Sequence, residues 1–418
     1  MSPLRRIAKN FGMVLSGSLA ITAMGFFALA LNTRALGIDD LGKLFLVQAT
    51  CELTAKLISF QNWQSYTKVG ADIEGRGSLK ALWLYGVALD FAAAAVSALV
   101  VVLILLFAPA LVGLDPETAR LGLFFAAGML LSGRGTSIGA LRLLGAFGWA
   151  VTIDVLQAVL LLVNAALLFA IGASLSAYLI TIPTITAAAS VLVLLGAWIK
   201  IKAQDDNKKN PRFDRVARRK FLTFALGVSA SGTLNAVRQR GEILIVGAIL
   251  GPAAAALFGV AYRVSELFSR FAETARVSIF PEFSRLVAAG QFSQAMAIAN
   301  KISKWATVIA AAAFFGLMVA GTSILALLFG PNFGEAQPML LLLAAGSAIY
   351  ASTFAFTSLV QITFGSWRFF AISLFAFGGF CVFGVLGPLF FGLNGAGAGA
   401  IANAVVLAAL SRQSLMRR

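Results

Sequence analysis

Long apolar blocks alternate with short polar stretches along the whole of this chain. Such blocks fit helices that cross a hydrocarbon core, because about 20 apolar residues span roughly 30 Å while pairing every backbone N–H and C=O internally. The pattern predicts spans near residues 11–33, 42–60, 81–108, 120–138, 148–171 and 176–199. A second set is predicted near 222–248, 253–272, 305–328, 338–362, 369–392 and 395–411. The expected fold is therefore all-α and polytopic, with about twelve transmembrane helices in two six-helix bundles. Residues 1–199 form the first bundle, 200–220 a basic cytoplasmic linker and 221–418 the second.

Composition supports this reading. Of 418 residues, 60% are hydrophobic and only 12% charged, so lipid and not water is the main solvent, and little chain is left for a soluble domain. The first apolar run follows Arg5, Arg6 and Lys9 and exceeds the usual signal-peptide core of about 7 to 15 residues. It is expected to be a retained span.

Charge gives the orientation. The chain carries 33 Lys and Arg against 17 Asp and Glu, a net charge of +16. In a soluble protein this would suggest nucleic acid; in a membrane protein, cation-rich cytoplasmic loops account for it and no nucleic-acid partner is expected. Arg5, Arg6 and Lys9 at the N-terminus, Lys68, Arg76 and Lys80 after the second span, and Arg412, Arg417 and Arg418 at the C-terminus place both termini in the cytoplasm. Lys200 to Lys220 is the strongest basic block, suited to anionic headgroups of membrane lipids. Trp63, Trp83, Trp149, Trp198, Trp305 and Trp367 all fall at cytoplasmic ends, where amphipathic rings meet headgroups. The expected location is the inner, or plasma, membrane.

Several chemistries are excluded. With no His, and with Cys51 and Cys381 far apart, His triads, zinc clusters and a disulfide framework have no ligands. The glycine-rich Gly392–Gly399 stretch lacks a preceding strand and a Lys-Ser or Lys-Thr, so helix packing explains it better than phosphate binding. No metal and no cofactor are expected, and transport fits better than catalysis.

Internal repetition links the halves. Ala35-Leu36-Gly37 resembles Ile249-Leu250-Gly251, and at the same offset Glu52-Leu53 aligns with Glu266-Leu267. Equal span counts and inward basic termini make these parallel repeats.

Charges inside spans mark function, since each costs about 2.5 to 3.5 kcal/mol at a helix centre. The repeat register makes Phe224 to Ala248 one helix carrying Arg238, Arg240 and Glu242. Ser231, Asn235, Arg238 and Glu242 follow helical spacing and form a polar stripe, with Ser229, Thr233 and Arg240 on a second. Arg238 and Glu242 can pair at i,i+4, which leaves Arg240 to meet an anion. The alternative ends the span near Val237 and makes the Arg-Gln-Arg-Gly-Glu segment an outward turn. Asp90 in the third span and Asp154 in the fifth are candidates for coupling H⁺ or Na⁺, or else pair with a neighbour such as Arg134.

Asn10-Phe11, the segment Arg34 to Gly42, Glu242 to Gly247, Gly259 to Val264, Phe280 to Gly290, Ile324 to Gly330 and Gly392 to Ala396 occur in an order that resembles a known family. It is the oligosaccharide and polysaccharide flippases, O-antigen-type exporters of lipopolysaccharide assembly, in the multidrug, oligosaccharidyl-lipid and polysaccharide exporter superfamily. The resemblance implies two six-helix bundles around a cationic cavity that carries undecaprenyl-diphosphate-linked oligosaccharide by alternating access. Arg238 and Arg240, with Asn235 and Glu242, would then bind the lipid-linked oligosaccharide; membrane lipids, a polysaccharide polymerase and glycosyltransferases are the other implied partners. Glu242 departs from the family's usual Asp followed by a basic residue, which leaves the contacting arginine open. A drug or cation antiporter of the same superfamily is the first alternative. A polyprenyl-dependent glycosyltransferase or ligase is a second, disfavoured by short outward loops, and a facilitator-type transporter is a third.

Overall fold

The computed structural model describes residues 3–59, 62–73, 78–205 and 215–417. The described chain is almost entirely helical, with no strand among those residues. It divides into two compact units, Met1–Arg240 and Gly241–Arg418.

In the first unit, α1 (Pro3–Ile58) joins the two first predicted spans across a kink at Gly37. It is followed by α2 (Asn62–Ile73), α3 (Leu79–Phe107), α4 (Pro116–Met129), α5 (Gly135–Leu143), α6 (Phe147–Ala170), α7 (Leu175–Asp205) and α8 (Arg215–Ala236). The fourth predicted span, 120–138, is not one helix. Backbone helicity stops after Met129 and resumes at Gly135, so this span is a pair of half-helices. Tyr66, Leu82, Trp83, Leu141, Val193 and Phe221, from five helices, meet in its core.

A π-helical turn, Val237–Gly241, carries α8 directly into α9 (Glu242–Leu250). The helix does not end at Val237, so the outward-turn alternative is set aside. In the second unit, α9 leads to α10 (Pro252–Ala288), α11 (Phe292–Phe329), α12 (Gln337–Phe391, kinked at Gly365) and α13 (Ala398–Met416). Helices α10 and α11 outrun the spans predicted for them, 253–272 and 305–328, because their extensions are amphipathic and not uniformly apolar. Phe283, Ala299, Leu359, Ala376 and Leu407 join α10 to α13 in one core.

The repeat is visible in the backbone. Gly37 has φ 70° and ψ −171°, and Gly251 has φ 88° and ψ 176°. This positive-φ, extended-ψ region is essentially closed to residues with a Cβ. Other positive-φ glycines, Gly113 and Gly330, Gly145 and Gly365, Gly172 and Gly392, fall at corresponding turns between spans. The motif spacing read from the sequence is thus a spacing of kinks and helix ends at positive-φ glycines.

Eight helical stretches among the described residues are long and apolar enough to cross a membrane. Val163, Leu167, Val319, Leu327 and Phe375 are exposed on them, as lipid-facing residues should be, and the protein is multi-pass. Three predicted spans fall outside this set: the broken 120–138, and 222–248 and 253–272. The last two carry charges along their length.

Glycines of the Gly392–Gly399 stretch work as packing residues. A Cβ on Gly395 would collide with the Gly387 backbone, and one on Gly399 would lie 3.0 Å from Gly384 Cα. Trp83 departs from its expected headgroup position: it is 6% exposed, and its Nε1–H donates to Ser137 Oγ at 3.0 Å. Trp149, Trp305 and Trp367 remain exposed.

Candidate functional site

The first cluster surrounds the break between α4 and α5. Interrupting a helix leaves the first N–H groups of the next one without intrahelical partners. Here α3 supplies the acceptor: Asp90 Oδ2 accepts the backbone N–H of Thr136 at 2.7 Å. Asp90 Oδ1 accepts from Asn62 Nδ2 at 2.7 Å, at the start of α2. Three helices are therefore tied together by one carboxylate that is itself only 7% exposed. Gly133 lets the break press against α3, since a Cβ there would lie 3.1 Å from the Asp90 carbonyl carbon.

On the other side, Arg134 Nη1 donates to Asp154 Oδ1 of α6 at 3.0 Å. Arg134 sits in the non-helical link itself. The two carboxylates singled out in the sequence thus converge on one structural feature, by different means. Asp154 takes the Arg134 partner; Asp90 does not, and is held by N–H donors.

The second cluster lies where α8 turns through the π segment. Such a turn inserts one residue into the α-helical register and is frequent at functional sites. It shifts the register of the residues that follow, so Ser231, Asn235, Arg238 and Glu242 do not lie on one unbroken α-helical period. Asn235 and Arg238 lie on this helix, but their side chains fall outside the described residues. Arg240 is described, and it is not left to meet an anion alone: its Nε lies 2.6 Å from Glu52 Oε2, on the second half of α1, as an ion pair without hydrogen-bond alignment. The pair is half-buried, at 29% and 41% side-chain exposure. Glu242 is enclosed in the second unit at 1% exposure.

A third group escaped the sequence reading. Arg263, Glu266, Arg270, Glu273 and Arg276 recur at steps of three and four along α10 and so share one face. Ala261, Val264, Ser265 and Ala272 are buried on the opposite face. Arg270 pairs with Glu266 at 3.5 Å, and Arg276 with Glu273 at 2.6 Å; Tyr350 of α12 donates its hydroxyl to Glu273. The predicted span 253–272 looked apolar on average, which hid a one-sided charge pattern. The same repeat register that aligned Glu52 with Glu266 also aligns Lys56 with Arg270, and that match could have exposed the stripe.

No group of three or more His, Cys, Asp or Glu that could hold a metal occurs among the described residues.

Residues 90–338 match the model of a family described as polysaccharide biosynthesis protein. Curated protein sequences give no match. Among solved structures, lipid II flippase MurJ in an inward closed conformation is similar at 13% identity and TM-score 0.74, over 96% of this chain and 87% of its own. An inward-facing multidrug resistance MATE family transporter of the MOP superfamily is similar at 14% identity and TM-score 0.73, over 94% and 95%. A MOP superfamily transporter from Pyrococcus furiosus, described by the reverse polarity of its binding pocket, aligns at 14% identity and TM-score 0.59, over 97% and 93%. At these identities the likeness establishes a shared fold.

Proposed function

Because the chain belongs to the polysaccharide biosynthesis protein family, we propose that it is a flippase for a lipid-linked oligosaccharide. The cargo of this reading is an undecaprenyl-diphosphate-linked glycan, carried across the inner membrane by alternating access, with both chain termini in the cytoplasm. It serves cell-surface polysaccharide assembly of the O-antigen kind. Transport, and not bond-making, is the activity.

One observation carries the reading: two of the predicted spans, α8–α9 and α10, bear charges that lipid would not tolerate. Each cation or carboxylate at a helix centre costs about 2.5 to 3.5 kcal/mol against hydrocarbon, so these faces need water or a charged cargo. Arg240 suits a diphosphate. Its planar guanidinium keeps its charge when buried and offers parallel N–H donors. Glu52 balances the guanidinium's charge from its Nε side, while the two terminal nitrogens offer a fork that a phosphate can accept from. Arg238, on the same helix, is the second candidate for the diphosphate, and Asn235 for glycan hydroxyls. The α10 stripe, with alternating signs, supplies a hydrophilic track for a sugar that must shed water. Glu242 belongs to the same helix and closes the candidate set.

The direct test is export of glycan in a strain lacking the native exporter. Arg238→Ala with Arg240→Ala should abolish export while the protein still inserts at wild-type level; normal export would reject the assignment.

Carboxylates stand beside the cations within each unit, Glu52 at Arg240 in the first and Glu266 and Glu273 along α10 in the second, which favours a second reading as a drug or cation antiporter. Uptake of a cationic dye into inverted vesicles, with no movement of polyprenyl-linked glycan, would select it.

A further inference from the structure

The carboxylate of Glu273 serves two masters. Tyr350 of α12 donates its hydroxyl to Oε1. Arg276 takes the other oxygen: its Nε donates to Oε2 at 2.9 Å, and its Nη2 lies 2.6 Å from that same atom. An arginine and a carboxylate bind most strongly fork to fork, through two parallel N–H···O bonds that use both oxygens. Here two nitrogens share one oxygen, because a donor from another helix holds the second. Packing fixes the approach of that helix: Ala272 of α10 is buried with Ala351 and Phe354 of α12, and Tyr350 lies against them.

Exposure separates this contact from a plain tie between helices. Asp90, which joins three helices in the first unit, is only 7% exposed, whereas the side chains of Glu273 and Arg276 are 43% and 37% exposed. Charges with that much open surface in so apolar a chain need water or a charged cargo beside them. Whether Arg276 can meet an anion therefore depends on how tightly Glu273 keeps it. The tyrosine hydroxyl loosens that grip twice: it occupies Oε1, and as a donor it draws negative charge away from the guanidinium.

We propose that Tyr350 is a positioning residue for anion capture in the second unit: by holding Glu273 Oε1 it stops the carboxylate from closing on Arg276 with both oxygens, and leaves the guanidinium ready to exchange Glu273 for a phosphate oxygen of the cargo. Only the cargo rests on the flippase reading; the control of Arg276 by Tyr350 does not. Tyr350→Phe keeps the ring and removes the donor, so Oε1 becomes available to Arg276 and the ion pair tightens. A tyrosine that merely braced α10 against α12 would have no such effect on the arginine.

The test uses the full-length protein in detergent and an arginine-selective dicarbonyl reagent, with the rate of modification at Arg276 followed by peptide mass spectrometry. Tyr350→Phe should slow that rate about two- to tenfold, the worth of one added hydrogen bond, with Tm little changed. Glu273→Gln should raise the rate, and Tyr350→Phe added to it should change nothing further, because the tyrosine acts through the carboxylate. Farnesyl diphosphate should protect Arg276, and Tyr350→Phe should weaken its binding by the same factor. Modification of folded Tyr350→Phe at an unchanged or faster rate, whatever its Tm, would make the tyrosine a brace and overturn the proposal. So would a slowing by Tyr350→Phe that persists when Glu273 is Gln. The expected change in rate without protection by farnesyl diphosphate would uphold the positioning role and count against the diphosphate cargo alone.

Discussion

Replacing Glu52 with Gln should make the protein bind a polyprenyl diphosphate more tightly, because Arg240 must exchange one anion for another. In the structure Arg240 Nε lies 2.6 Å from Glu52 Oε2, and the side chains are 29% and 41% exposed. Solvent-exposed pairs are worth about 0.2 to 1 kcal/mol, and breaking buried ones costs about 3 to 5 kcal/mol. A half-buried pair falls between, near 1 to 2 kcal/mol, well below the bare Coulomb value because water screens both groups. Gln keeps the shape but surrenders the charge, so that energy no longer opposes the diphosphate. At about 1.4 kcal/mol per tenfold, affinity should rise roughly 5- to 30-fold. Turnover should fall, since release from an unopposed arginine is slower. Titrating detergent-purified protein with a short-chain polyprenyl diphosphate gives the affinity. The double variant Glu52→Gln, Arg240→Ala should show no gain over Arg240→Ala alone, because the benefit acts through the guanidinium. Unchanged or weaker binding by a folded Glu52→Gln protein would refute the exchange argument, and so would a gain that survives loss of Arg240.

Other consequences follow from packing and charge. Gly139→Ala places a Cβ 2.6 Å from the Trp63 carbonyl oxygen and 2.9 Å from its Cα, backbone atoms that cannot turn aside; overpacking of this kind costs about 1 to 3 kcal/mol, read as a lower Tm in detergent. Gly37→Ala and Gly251→Ala meet no neighbour within 4 Å, yet each should lose about 1 to 3 kcal/mol through backbone strain alone, and unfolding of the double variant should show the two losses adding. Asp115, outside the spans, is pushed up by partial burial but held below its ordinary value overall by the N–H and hydroxyl of Thr118 and by Lys43. A depressed carboxyl stabilises the fold above the unfolded value, and the benefit disappears as pH falls through the folded one. Stability measured from pH 5 down to about 2 should therefore drop less steeply in Asp115→Asn, given an unfolded Asp value near 4.

Much of the architecture was legible along the chain because lipid imposes a one-dimensional rule: apolar length equals a crossing. Nine of the twelve predicted spans and the offset joining Gly37 to Gly251 follow from residue type and spacing. Hydropathy averaging, however, conceals one-sided patterns, which is why the Arg263 to Arg276 face of α10 escaped notice although its three-and-four spacing was there to read.

Other features could not be read, because they depend on partners distant in sequence. Gly133 and Gly135 weaken the helix locally within residues 120–138, but the break is stable because Asp90, from another helix, accepts the exposed N–H of Thr136. The π turn at Val237–Gly241 departs from the regular period that the sequence suggests, and α1 supplies Glu52 to Arg240 from almost two hundred residues away. Trp83 reads as a headgroup anchor, yet Ser137 satisfies its N–H inside the core. The sequence by itself determined which segments are long and apolar enough to cross a membrane, since transfer free energy depends on composition. Only the tertiary structure decided how each charge is neutralised, since pairing depends on which helices meet.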